Sequence, residues 1–197
     1  MKKNLFNLPI ATVVAMTAIP GIAFANGASL DANLTATIVD TTCNMKLSGG
    51  VGDNTKQTLT ITVPGRENIY VPVTDAQAGK AASTFKIQIV ECPTSLTSLK
   101  TTIKGTVSDA SRTALANQIA ETEGGAKGVA LEIARSTATT APFVINSTVD
   151  AERLVWTKAE IKDDKEVSLT ATLRETKAGE MTIGHFKTVA TFEFSYE

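Results

Sequence analysis

The chain of 197 residues carries few side chains that could do covalent or metal chemistry: two cysteines, Cys43 and Cys92, and a single histidine, His185. One histidine excludes multi-histidine metal sites and most zinc chemistry, and a serine–histidine hydrolase would have to be built around His185 alone, a residue in the turn that enters the last apolar stretch. The acidic pairs Asp163-Asp164 and Glu121/Glu123 stand in charged, turn-like segments, where a solvated surface accounts for them without acid–base work. Gly124-Gly125 lacks the Lys-Ser/Thr that a phosphate-cradling loop requires. No enzyme activity and no cofactor or metal are expected. The remaining chemistry is between the cysteines. Their spacing fits no metal motif, and an even pair in an exported chain is most simply a disulfide. It would close a loop of 49 positions, which loop-closure entropy values at roughly 4 kcal/mol.

Export is read from the first 25 residues. Lys2 and Lys3 make a basic start, Ile10 to Ile19 is an apolar core, Pro20-Gly21 breaks it, and Ala23-Phe24-Ala25 supplies small residues for cleavage after Ala25. That core is too short to span a bilayer, and no other segment approaches the ~20 apolar residues a spanning helix needs. The whole chain has a formal charge of −1, and losing Lys2 and Lys3 leaves the rest more acidic. No basic patch invites nucleic acid.

The elements that must position the cysteines are strands. Ala28 to Ile38 places apolar residues at every even position (Ala28, Leu30, Ala32, Leu34, Ala36, Ile38) and mostly polar ones between them. An extended strand turns successive side chains to opposite faces, so this run has one apolar edge over roughly 33 Å. Such a strand either opens its own sheet or is meant for a neighbouring molecule. Further strands are expected at Thr58–Val63, ended by Pro64-Gly65, around Ile69, Val71 and Val73, at Phe85–Cys92, Leu99–Gly105, Val129–Ile133 and Val167–Leu173, and from Phe186 to Glu197. Leu154-Val155-Trp156 reads as a strand end holding a core tryptophan, and Phe143–Val149 as a short edge strand. Lys46–Asn54, Asp75–Ser83 and Thr137–Pro142 read as loops. Ala110–Glu121, with Ala110, Ala114, Leu115 and Ile119 near helical spacing, is expected to form one or two turns of helix before Gly124-Gly125. Asn146-Ser147-Thr148 matches a glycosylation sequon, a pattern too weak to carry weight. Many short strands with Gly- and Pro-punctuated turns predict an all-β sandwich.

The order and spacing of these pieces resemble the pilins, the subunits of chaperone–usher fimbriae, of the type 1 fimbrial protein kind. The anchors are Leu34-x-Ala36-x-Ile38-Val39-x-x-x-Cys43, Phe85-x-Ile87-x-Ile89-x-x-Cys92, Gly105 after an alternating strand, Gly128-Val129-x-Leu131-x-Ile133, and Gly179 to Tyr196 with its penultimate tyrosine. The resemblance implies an incomplete immunoglobulin-like β-sandwich lacking its last strand, with an N-terminal donor-strand arm. It divides the chain into a signal peptide over 1–25, an N-terminal extension over 26–37 and a pilin domain over 38–197. Ala28, Leu30, Ala32, Leu34 and Ala36 would be the donor residues. Phe186, Ala190, Phe192, Phe194 and Tyr196 would border the acceptor groove, with the terminal carboxylate of Glu197 gripped by a chaperone. Ala36 departs from the family pattern, which has a glycine there. The implied partners are a periplasmic pilus chaperone, an outer-membrane usher and neighbouring fimbrial subunits. The implied path leads through the periplasm to a fimbrium on the cell surface. The alternative within the same family is a single-domain adhesive or tip-associated minor subunit that binds a host receptor.

Overall fold

The computed structural model describes residues 29–39, 43–65 and 70–196. The signal peptide expected over 1–25 lies outside the described residues, as do Ala28, Ile69 and Glu197. In chain order the elements are β1 (Ser29–Val39), β2 (Asn44–Ser48), β3 (Val51–Gly52), β4 (Lys56–Thr60), β5 (Val71–Pro72), α1 (Val73–Gln77), β6 (Ala82–Glu91), β7 (Leu99–Lys104), β8 (Val107–Ser108), β9 (Ser111–Ala116), β10 (Val129–Arg135), β11 (Leu154–Val155), α2 (Lys158–Lys162), β12 (Glu166–Glu175) and β13 (Gly184–Tyr196). They build the expected all-β sandwich. One sheet is seven-stranded, ordered β11-β7-β13-β1-β4-β3, with β5 beside β1; the other is six-stranded, ordered β2-β6-β12-β10-β9-β8.

The core lies between the sheets and follows from the alternation. Leu30, Leu34, Leu99, Ile103, Phe186 and Phe192 come inward from the first sheet, and Ile87, Leu131, Ile133 and Leu169 from the second, all fully buried. Phe85 and Phe192 meet across the layers with ring centroids 5.6 Å apart, within the range where aromatic pairs add to simple burial. Cys43 and Cys92 are joined, their Cα atoms 4.4 Å apart. The bridge sits at one end of the β2–β6 ribbon, immediately before Asn44, which pairs with Glu91. It therefore clamps the ribbon end where no further ladder bonds hold it.

Several local expectations are corrected. The segment around Ala114 is strand β9, not helix. Ala114 and Leu115 are both buried, so both faces of the strand are covered and the period-two signal is lost. Past it, only Glu121–Glu123 forms a single 3-10 turn. The stretch from Lys46 is no loop at first, since β2 runs to Ser48, and β3 follows at Val51–Gly52. Val73–Gln77 is a short helix rather than loop or strand. Phe143–Val149 has no strand; its amides instead bond singly to different elements, Phe143 N to Ile133 O, Ile145 N to Arg112 O and Asn146 N to Ile103 O. Helix α2 was missed although its signal is in the sequence. Thr157 Oγ1 accepts from Glu160 N at 3.2 Å while Glu160 accepts from Thr157 N at 2.8 Å, the reciprocal Thr-x-x-Glu box that starts helices.

Candidate functional site: the slot filled by the first strand

β1 is the strand that joins two parts of the first sheet. On one side it runs parallel to β13, with Leu30 beside Gly184, Ala32 beside Phe186, Leu34 beside Thr188, Ala36 beside Ala190 and Ile38 beside Phe192. On the other it runs antiparallel to β4, pairing Leu34 with Leu59 and Ala36 with Gln57, and to β5, pairing Leu30 with Val71. Ile38 N to Thr55 O at 3.0 Å and Ile61 N to Ala32 O at 2.9 Å extend that edge beyond the paired residues. The first and last strands of the described chain are thus hydrogen-bonded neighbours, and β1 fills a slot whose walls are β13 and β4/β5.

The residue types explain the seating. Leu30, Ala32, Leu34, Ala36 and Ile38 are all buried, none more than 8 % exposed, while Asn33, Thr35 and Thr37 are only partly covered on the other face. Large and small residues interdigitate at the start of the slot, where Leu30 lies beside Gly184 and Ala32 beside Phe186. A Cβ on Gly184 would stand 2.6 Å from Ala126 N, so only glycine lets β13 begin there. Fully burying each leucine stabilises by roughly 1.5–3 kcal/mol.

Of the residues expected on the groove wall, Phe186, Ala190 and Phe192 are buried behind β1, and Phe194 and Tyr196 are partly buried against the same core. The last two lie past Glu193, where β1 ends at Val39, and their strand neighbours are Thr101 and Leu99 of β7. β1 itself runs unbroken from Ser29 to Val39, across the boundary expected between Thr37 and Ile38. The opposite wall, Leu59, Ile61 and Val71, was not singled out from sequence, although the odd-numbered alternation of Thr58–Val63 placed Leu59 and Ile61 on one face. A further holder was missed entirely. Asn117 Nδ2 donates to His185 O at 2.8 Å and to Ala126 O at 3.0 Å, and its Oδ1 accepts from Lys187 N at 3.0 Å. With Gln118 N donating to Lys187 O, Asn117 covers the edge of β13 that β7 does not reach.

The polar groups around the slot are arranged to hold backbone. In the turn between β3 and β4, Asp53 accepts from Thr55 N and Lys56 N, both at 2.7 Å, and from Thr55 Oγ1 at 2.9 Å. Those bonds hold its carboxyl below the usual range and fix the turn whose Thr55 carbonyl receives Ile38 N. Inside the slot stands one polar side chain without such a partner: Thr188 is fully buried and its Oγ1 makes no hydrogen bond among the described residues. No group of His, Cys, Asp or Glu among the described residues is placed to hold a metal. No helix among them is long and apolar enough to cross a membrane.

A family model described as "Fimbrial protein" matches residues 32–197. The chain belongs to the fimbrial protein family. It is similar to the uncharacterized fimbrial-like protein YadM of Escherichia coli (strain K12), 30% identical over 171 residues that cover 85% of this chain and 87% of that one. Its fold is similar to that of the P pilus rod subunit PapA, with a TM-score of 0.52 at 18% identity, covering 81% of this chain and 94% of the other. This fimbrial protein is therefore a fimbrial subunit by family, and that family implies contact with other fimbrial subunits. The Cys43–Cys92 bridge belongs to the same domain.

Proposed function

We propose that this fimbrial protein is a structural subunit that polymerises by donor-strand exchange. A periplasmic chaperone would hold it until an outer-membrane usher passes it to the fibre at the cell surface. The observation that supports this is the seating of β1. A strand with an entirely apolar inner row occupies a slot bounded by β13 and β4/β5, and a terminal strand of that kind can be exchanged between copies, since the same contacts form within one molecule or between two. Strand addition of this sort, the complementation of a pilin by a chaperone's strand included, draws its affinity from main-chain bonds and its fit from alternate side chains. Under this reading Ala28, Leu30, Ala32, Leu34 and Ala36 are donated to a neighbour, and Phe186, Ala190 and Phe192 receive a neighbour's strand. The Glu197 carboxylate is the chaperone's handle. The protein has no catalytic role.

The seating of β1 in its own slot makes the free subunit a closed form, and assembly then requires the arm to leave. The test is a thermal melt of the oxidised chain from Thr37 onward, with and without a peptide of residues 26–40, alongside gel filtration of the chain from residue 26 at high concentration. A large peptide-dependent rise in melting temperature and slow growth of oligomers support exchange. A stable truncated domain that ignores the peptide would sink the proposal.

A further inference from the structure

We propose that Thr188 is a specificity-determining residue of the slot, selecting an incoming strand that turns one hydrogen-bonding side chain inward where β1 turns Leu34. The proposal rests on the acceptor reading above and goes beyond it by naming the chemistry of the preferred occupant. Two other buried threonines have partners: Thr101 Oγ1 accepts from Trp156 Nε1 at 2.9 Å, and Thr170 Oγ1 shares a bond with Ser136 Oγ at 2.9 Å. Thr188 is equally buried, its register neighbour on β1 is Leu34, and its hydroxyl makes no bond among the described residues. A buried hydroxyl left unmatched opposes the state that buries it.

The arm of this chain cannot supply the missing partner by moving. Core-facing positions in a strand recur every second residue, and along β1 they are Leu30, Ala32, Leu34, Ala36 and Ile38. A slip of two places exchanges one apolar side chain for another, and reversing the strand's direction keeps the same row inward. A slip of one place would bring Asn33 or Thr35 inward only by turning both leucines to water. The better occupant is an extended strand with an apolar alternate row interrupted once by Ser, Thr or Asn. That describes the arm of a different subunit rather than a second copy of this one.

The experiment uses the exported chain from residue 26 with its disulfide intact, refolded from denaturant in the presence of labelled peptides of residues 26–40. Leu30, Leu34 and Ile38 are replaced by Thr one peptide at a time, and retention is compared with the unaltered peptide for the wild-type chain and for Thr188→Val. The expected result is that at least one Thr-bearing peptide gains about tenfold over the unaltered peptide on the wild-type chain relative to the T188V chain, roughly 1.4 kcal/mol of selectivity. T188V should also unfold at a urea concentration no lower than wild type. Peptides that bind both chains with the same ranking overturn the role of Thr188 while leaving the acceptor reading intact. A lower urea midpoint for T188V overturns it as well, because the hydroxyl would then be satisfied. Retention of no peptide by either chain overturns this proposal, because no incoming strand is then preferred over the chain's own β1.

Discussion

Ala36 of β1 lies directly beside Ala190 of β13, both buried, with Gln57 of β4 on the other side. Two methyl groups meet where the flanking positions bring Leu34 and Ile38. The small Ala190 is what β13 offers beside the methyl of Ala36. Replacing Ala36 with glycine should cost up to about 1 kcal/mol through lost packing and added chain freedom. Replacing Ala190 with leucine should cost about 1–3 kcal/mol by overpacking. Urea titrations of both variants check the ranking, and an Ala190→Leu chain as stable as wild type would show that the slot is not filled as described.

Leu34 is fully buried between Thr188 and Leu59. Leu34→Ala should lower stability by about 2–5 kcal/mol, while Leu34→Asp should expel β1 altogether. Limited proteolysis then reads the difference: the aspartate variant should be cut within residues 29–39 at protease levels that leave wild type whole.

Asn146 adopts a left-handed backbone, φ 64°, and binds Gly105 from both sides. Gly105 N donates to its Oδ1 at 3.1 Å and its Nδ2 donates to Gly105 O at 3.0 Å. Gly105 in turn has no room for a side chain, since a Cβ would meet Leu115 Cδ2 at 2.4 Å and Val189 O at 2.8 Å. Asn146→Gly loses the bonds but keeps the conformation, whereas Asn146→Ala loses both. The alanine variant should therefore be the less stable of the two, by about 1 kcal/mol. The reverse order in denaturant midpoints would refute this.

Removing the Cys43–Cys92 bridge frees a loop of 49 positions. A Cys43→Ala/Cys92→Ala chain should lose about 2–5 kcal/mol. Its urea midpoint, compared with that of the oxidised chain, measures the loss.

Acid should loosen α2. Burial of Glu160 raises its pKa, but the Arg135 guanidinium and the Thr157 amide and hydroxyl outweigh that and hold the carboxyl below its ordinary value. Arg135 forms an ion pair with Glu160 and also reaches Val155 O at 2.7 Å, so the pair ties α2 to β10 and β11. A carboxyl whose folded pKa is depressed contributes stability above its unfolded pKa and loses it as pH falls through the folded value. Stability should thus be flat from neutral pH down to about 5 and fall below about 4.5. Glu160→Gln should remove part of that acid-side slope. A slope unchanged by the substitution would assign it to other carboxylates.

Periodicity was legible where one face of a strand meets the core and the other meets water. The alternations of β1, β6 and β13 show it, and the ends of β6 and β13 were close to where the apolar runs placed them. It failed where both faces are covered: in β9, Ala114 and Leu115 are consecutive buried residues, and a pair of that kind reads as a turn of helix. It also failed for pieces held by single hydrogen bonds to scattered partners, such as Phe143–Asn146 and the Asn117 bridge, because no spacing in the chain records a partner 68 residues away.

By itself the sequence determined which side chains of β1, β6 and β13 face inward, that the fold is a β-sandwich, and that two cysteines are available for one bridge. Tertiary structure alone decided that β1 lies between β13 and β4, parallel to the former, and that the buried Thr188 hydroxyl makes no hydrogen bond there among the described residues. The physical reason is that an alternating strand presents the same apolar row in either direction and to any slot of matching shape. The pattern fixes what is buried, and only the assembled walls fix where and beside what.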